Sequence, residues 1–159
     1  MGPCVAALAM LIAPFVLPAA SHAQDVTSVS AQVTVILGRE IAGVIDLRLE
    51  HLAALRQPPF NAFHSMDVYS VHDVTLTRGV PTTIDLPNGR VLQIILEEVT
   101  PDGRSHLRVS INRRSQSDYL PVLEVAAPPG DPFFVAGQNF QGGTLIIGVQ
   151  VSRERPASH

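Results

Sequence analysis

The sequence predicts an all-β protein, a single small β-sandwich or open barrel of about eight mostly antiparallel strands with one short helix near its N-terminal end. Three observations lead there. Several short runs alternate apolar and polar residues with a period of two, most clearly Ser105 to Asn112, where Leu107, Val109 and Ile111 oppose His106, Arg108, Ser110 and Asn112. Clusters of Pro, Gly, Asn and Asp separate these runs at spacings of about 8 to 12 residues, as the short strands of sandwiches and barrels require. The stretch Gly79 to Gly103 reads as a hairpin: Val80 to Leu86 reaches Pro87-Asn88-Gly89, where proline presets φ and Asn-Gly accepts positive φ, and Arg90 to Val99 runs back to Pro101-Asp102-Gly103. Val91, Ile95 and Val99 share one face of the second strand and Leu92, Ile94 and Leu96 the other, which predicts a central strand covered on both sides over much of its length.

The other elements follow in chain order. Ser30 to Leu37 alternates Ala31, Val33, Val35 and Leu37 against Gln32 and Thr34, the pattern of a half-buried strand, and Gly38 closes it. Asp46 is placed to cap a helix over Leu47 to Arg56, because its carboxylate accepts from the free N–H groups of a first turn. Leu49, Leu52 and Ala53 or Leu55 then share a face, and Pro58-Pro59 ends the helix by removing backbone donors. From Ala62 to Leu76 the chain is extended again: Met66, Val68 and Ser70 alternate against Asp67 and Tyr69, while Val71, Val74 and Leu76 change phase, which predicts a bulge near His72-Asp73. After the polar loop Arg113 to Asp118, Tyr119 to Ala126 reads as a strand whose Pro121 favours an edge or a strand start. Phe133 to Ala136 and Thr144 to Val151 pair across Gly137 to Gly143, and Ser152 to His159 is a polar tail.

The N-terminus reads as that of an exported protein. Val5 to Leu17 is a nearly unbroken apolar run followed by Pro18, and Ser21-His22-Ala23 puts small residues at −3 and −1 of a cut before Gln24. Met1 to Ala23 is therefore expected to be a cleaved signal peptide, leaving one domain over residues 24–151 in the periplasm or outside the cell. The run falls short of the ~20 residues of a membrane span, and Pro14 and Pro18 interrupt it, so no stable span is expected after processing. The only cysteine, Cys4, lies in this leader, which excludes a disulfide, a thiolate metal site and a cysteine nucleophile from the processed chain. All 11 basic side chains are arginine, scattered among 14 acids for a net charge of −3, which argues against nucleic acid as a partner.

Motifs that carry chemistry are sparse, and neither a catalytic residue nor a cofactor is expected. No G-x-S-x-G elbow is present. Gln138 to Gly143 lacks the lysine and following helix of a phosphate loop. Glu97 and Glu98, adjacent on a strand, point to opposite faces and cannot work as an acid/base pair; one of them is expected to partner an arginine across the strand. His64, Asp67, His72 and Asp73 form the only local group with metal-ligand chemistry, at a spacing that does not fix them together. Arg104, Arg108, Arg113 and Arg114 gather along one strand and its outgoing loop, where guanidinium forks match phosphate or carboxylate groups. Phe60, Phe63 and Tyr69 read as core packing under the expected helix.

Taken together, Ile45 to Leu52, Phe60 to Phe63, Leu86-Pro87-Asn88-Gly89-Arg90, a strand ending at Ile111-Asn112, Phe133 to Gly137 and Gly142 to Val149 resemble a family of small uncharacterised secreted β-rich proteins of Gram-negative bacteria. The last two strands are also faintly similar to the closing strands of secretin-type envelope proteins. The resemblance implies export and a β fold, and no particular activity. The function expected is a non-enzymatic binding or assembly module of the cell envelope, the alternative a metal-assisted or hydrolytic enzyme built on the His64/Asp67/His72/Asp73 group. Thr144 to Val151 carries no charge, and as an edge strand it would offer an envelope protein a template for β-augmentation through Leu145, Ile147 and Val149; as a central strand the same residues would be core.

Overall fold

Among the described residues eight strands form, as the alternating runs and the turn signals between them predict. In the computed structural model, which describes residues 27–113 and 122–152, they are β1 (Ser28–Arg39), β2 (Ser65–Thr77), β3 (Thr82–Asp85), β4 (Arg90–Val99), β5 (Ser105–Arg113), β6 (Val122–Ala127), β7 (Phe133–Phe140) and β8 (Gly143–Val151). The expected signal peptide, Arg114 and the end of the tail lie outside the described residues. Pairing is antiparallel throughout, in two four-stranded sheets of order β2-β1-β8-β7 and β3-β4-β5-β6. One core joins them: Val33, Val35, Leu145, Ile147 and Val149 from the first sheet meet Leu92, Ile94, Leu96, Leu107 and Val109 from the second. The chain crosses between sheets just after β2, where Gly79 donates to the Leu96 carbonyl at 2.8 Å and Arg78 Nε to the Glu97 carbonyl at 2.9 Å. It returns before β7, where Gly130 N–H donates to the Val151 carbonyl at 2.8 Å.

The β3–β4 turn forms as Pro87-Asn88-Gly89 predicts. Gly89 takes φ +77°, Leu86 N–H reaches the Arg90 carbonyl at 2.8 Å, and the Asn88 side-chain carbonyl accepts from Arg90 N–H. At the β4–β5 turn, Thr100 Oγ1 donates to the Asp102 carboxylate and, with smaller help from Arg104, holds that carboxyl below its usual range. Strand β4 is central in its sheet, but it is covered on one face only: Leu92, Ile94 and Leu96 are fully buried, whereas Val91, Gln93 and Ile95 are half-buried. Apolar residues on both faces of a strand predicted two covers, and no described residue supplies the outer one.

The expected α-helix over Leu47 to Arg56 does not form. Three 3-10 turns replace it, Leu47–Leu49, Ala53–Arg56 and Phe60–Ala62, closed by three-residue hydrogen bonds such as Leu49 N–H to Asp46 and Leu52 N–H to Leu49. A spacing of three at Leu49, Leu52 and Leu55 stacks residues one above another at 3.0 residues per turn, so this stripe suits a 3-10 path better than an α-helix. Asp46 caps the first turn as predicted, accepting from Arg48 N–H at 3.0 Å. The bulge in β2 falls at Tyr69 rather than at His72-Asp73, since Val35 pairs with Ser70 and Ile36 with Val68. Strand β8 lies between β1 and β7, bonded on both sides, so Leu145, Ile147 and Val149 are core and not an open edge. β7 continues past Ala136 through a bulge at Gly137 to Phe140, which leaves only Gln141-Gly142, both at positive φ, to reverse the chain.

Candidate functional site: a groove on the outer face of the first sheet

Along β1, the residues that alternate away from the shared core are Gln32, Thr34 and Ile36. Register places Asp73 and Gln150 beside Gln32, Val71 and Gly148 beside Thr34, and Val68 and Ile146 beside Ile36. Phe134 of β7 lies next to Gly148. Over these four residues of rise, about 13 Å, the outer face changes from carboxylate and amides to aliphatic groups.

The apolar end cannot stay in water without cost, and the 3-10 segment covers it. Leu49 and Leu55 bury themselves with Ile36, Met66 and Ile146 in a second cluster, flanked by Leu52, Phe60, Phe63, Val68 and Phe134. The cover stops short of Thr34. What remains is a groove of about 380 Å³, with Thr34 and Gly148 as floor, Phe134 and Pro132 along one wall, Val71 along the other and Leu49 and Leu52 at the closed end. Such a volume suits a small molecule.

Gly148 sets the depth of the floor. A methyl group there would stand 2.7 Å from Phe134 Cε1, closer than non-bonded carbons tolerate. The Phe134 ring therefore rests on bare backbone, and it meets Phe60 edge-on at 5.8 Å between centroids.

Polar groups sit at both ends. At the closed end Arg48 and His51 form the rim; Arg48 Nη2 bonds Asp46 Oδ2 at 2.6 Å, and the Arg48 guanidinium, with its own backbone N–H, holds the Asp46 carboxyl well below the usual carboxylate range. At the open end Gln32 Nε2 donates to Asp73 Oδ1 at 3.0 Å and Gln150 Nε2 to the Gly130 carbonyl at 2.6 Å. A carboxylate and a carbonyl only accept, so both amides must present N–H to these partners, leaving each Oε1 as an acceptor.

The residues singled out in sequence are not gathered into a site. Arg104 pairs with Asp102 at 3.1 Å, and Arg108 bonds Glu97, the cross-strand partner expected for one of the two glutamates. Arg113 ends β5 opposite Arg90. Asp67 pairs with Arg39 at 2.8 Å, His72 bonds the Ser70 hydroxyl at 3.0 Å and Asp73 holds Gln32, while His64 stands exposed before β2. Among the described residues no three His, Cys, Asp or Glu side chains are placed to share a metal ion. Phe60, in the third 3-10 turn, and Phe63 just after it do pack into the second cluster, whereas Tyr69 is 52 % exposed and meets Phe140 edge-on at 5.7 Å.

Sequence reasoning missed Gln32, Thr34, Gln150 and Phe134 as a set. One signal was present: a lone glycine in the apolar strand Thr144 to Val151 marks a place where another group comes close. No helix among the described residues is long and apolar enough to cross a membrane. No protein-family model, curated protein or solved structure matches the chain.

Proposed function

We propose that this protein is an exported, non-enzymatic binding module of the cell envelope, and that the groove on the outer face of the first sheet is its recognition site. The observation that carries this reading is the half-cover of that face. The 3-10 segment buries Ile36 and Ile146 but leaves Thr34, Gly148, Phe134 and Val71 lining a depression, with Val71 still 44 % exposed. A polar margin around an apolar floor is the usual composition of a small-molecule site. Export rests on the leader Met1 to Ala23 and on the resemblance to secreted β-rich proteins.

Capture of a partner strand, first expected at β8, belongs instead to an edge. β6 is the edge that favours it, since Val122 and Leu123 are both exposed and, among the described residues, the strand is paired only with β5. The enzymatic alternative needs His64, Asp67, His72 and Asp73 to converge, and their separate partners disfavour it.

The groove is tested by amide chemical shifts. Titration with a small-molecule fragment library should move the resonances of Thr34, Val71, Phe134 and Gly148 together, saturably, and leave β5 still. Shifts confined to β6, or none in the groove with any fragment, would overturn the assignment.

A further inference from the structure

The polar end of the groove selects a particular head group. Gln32 and Gln150 line it with an amide oxygen each, and both also line the adjoining hollow that holds Asp73, whose carboxylate accepts from Gln32 Nε2. Asp73 meets only the neutral Gln32 amide, and no cation pairs with it among the described residues. Asp73 thus sets beside this end a negative charge that no described residue compensates. At the opposite end Arg48 is neutralised by Asp46, so its positive charge exerts little net pull on a ligand.

Resting on the groove reading above, we propose that the ligand is a small cationic amphiphile, an apolar or aryl body carrying a protonated amine. The body lies on Thr34 and Gly148 against the Phe134 ring. The ammonium, with three donors and no acceptor, reaches the open end, where Gln32 and Gln150 supply acceptors and Asp73, in the adjoining hollow beside Gln32, supplies the charge. The Gln32–Asp73 and Gln150–Gly130 bonds hold the two amides in place before a ligand arrives, so little ordering is needed on binding. A carboxylate head would instead face Asp73 and two amide oxygens.

Three probes with similar bodies and different heads decide it: 2-phenylethylamine, 2-phenylethanol and 3-phenylpropionate, titrated against the protein at pH 7 by amide chemical shifts. The expected order is amine, then alcohol, then carboxylate, with the amine roughly tenfold tighter than the alcohol at low salt and less so in concentrated salt. Asp73→Asn should bring the amine down to the alcohol's affinity and leave the alcohol unchanged; Asp73 is exposed, so this variant should fold. Equal binding of all three probes, or an amine preference that survives Asp73→Asn, would overturn the head-group assignment while leaving the groove in place. Failure of every probe to shift Thr34, Phe134 or Gly148 would overturn both.

Discussion

Replacing Gly148 with alanine tests the contact that shapes the groove. Gly148 is not at positive φ, so alanine meets no backbone strain, and in a strand interior it should by itself stabilise by about 0.5–1 kcal/mol. Against this, the new methyl stands 2.7 Å from Phe134 Cε1 and 3.1 Å from Cδ1. The ring must retreat by about 1 Å to reach ordinary contact. Doing so disturbs its edge-on packing with Phe60, and overpacking of this kind costs about 1–3 kcal/mol. The net expectation is a loss of about 1–2 kcal/mol, read as a fall in Tm of roughly 3–5 °C per kcal/mol for a domain of this size. Circular dichroism melts of four proteins, wild type, Gly148→Ala, Phe134→Ala and the double variant, make the test specific. With Phe134 truncated the clash is gone, so Gly148→Ala should change sign and stabilise. Equal destabilisation in both backgrounds would refute the argument, because the cost would then arise somewhere other than the Phe134 ring.

The remaining predictions probe other parts of the fold. Ile94→Ala should cost about 2–5 kcal/mol in chemical denaturation and Ile95→Ala about half that or less, because only Ile94 faces the shared core. Asp46 has a lowered folded pKa, so its contribution is full above the ordinary carboxylate value of 3.8 and is lost as pH falls through the folded value; acid melts of Asp46→Asn should therefore depend less on pH below about 4 than those of wild type. Amides of Leu145 to Val149 should exchange uniformly slowly in the isolated protein, since β1 and β7 flank β8 on both sides. Mass spectrometry of protein recovered from the periplasm or medium should find Gln24, or its pyroglutamate, at the N-terminus; intact Met1 in a membrane fraction would contradict export with cleavage after Ala23.

Strand identity was legible in the chain because alternation is a local property. Ala31, Val33, Val35 and Leu37 on one face of β1, or Leu107 and Val109 on one face of β5, mark the buried side without knowledge of any neighbour. Sheet order was not legible. Nothing between Thr144 and Val151 tells that β1, more than a hundred residues earlier, closes its free side, so the same uncharged strand left both edge and core open. The helix over Leu47 to Arg56 failed for a related reason: Leu49, Leu52 and Leu55 at intervals of three satisfy both a tight α stripe and a 3-10 stack, and the sheet beneath selected the flatter cover.

The groove depends on both kinds of information. The second face of Ser30 to Leu37 was read as wet at Gln32 and Thr34, yet it ends in Ile36, and that single change of polarity requires a cover over one half of the face only. A cover long enough to hide Thr34 as well would have needed apolar partners at Gln32 and Gln150, where the chain instead places amides fixed to Asp73 and Gly130. The boundary between dry and wet therefore falls on the Val71–Thr34–Gly148–Phe134 row, one residue from each of four strands. Because glycine at 148 lets the Phe134 ring lie directly on the sheet, that boundary becomes a depression with an aromatic wall instead of a flat seam. The site is thus a product of strand register, and only the glycine announces it in the sequence.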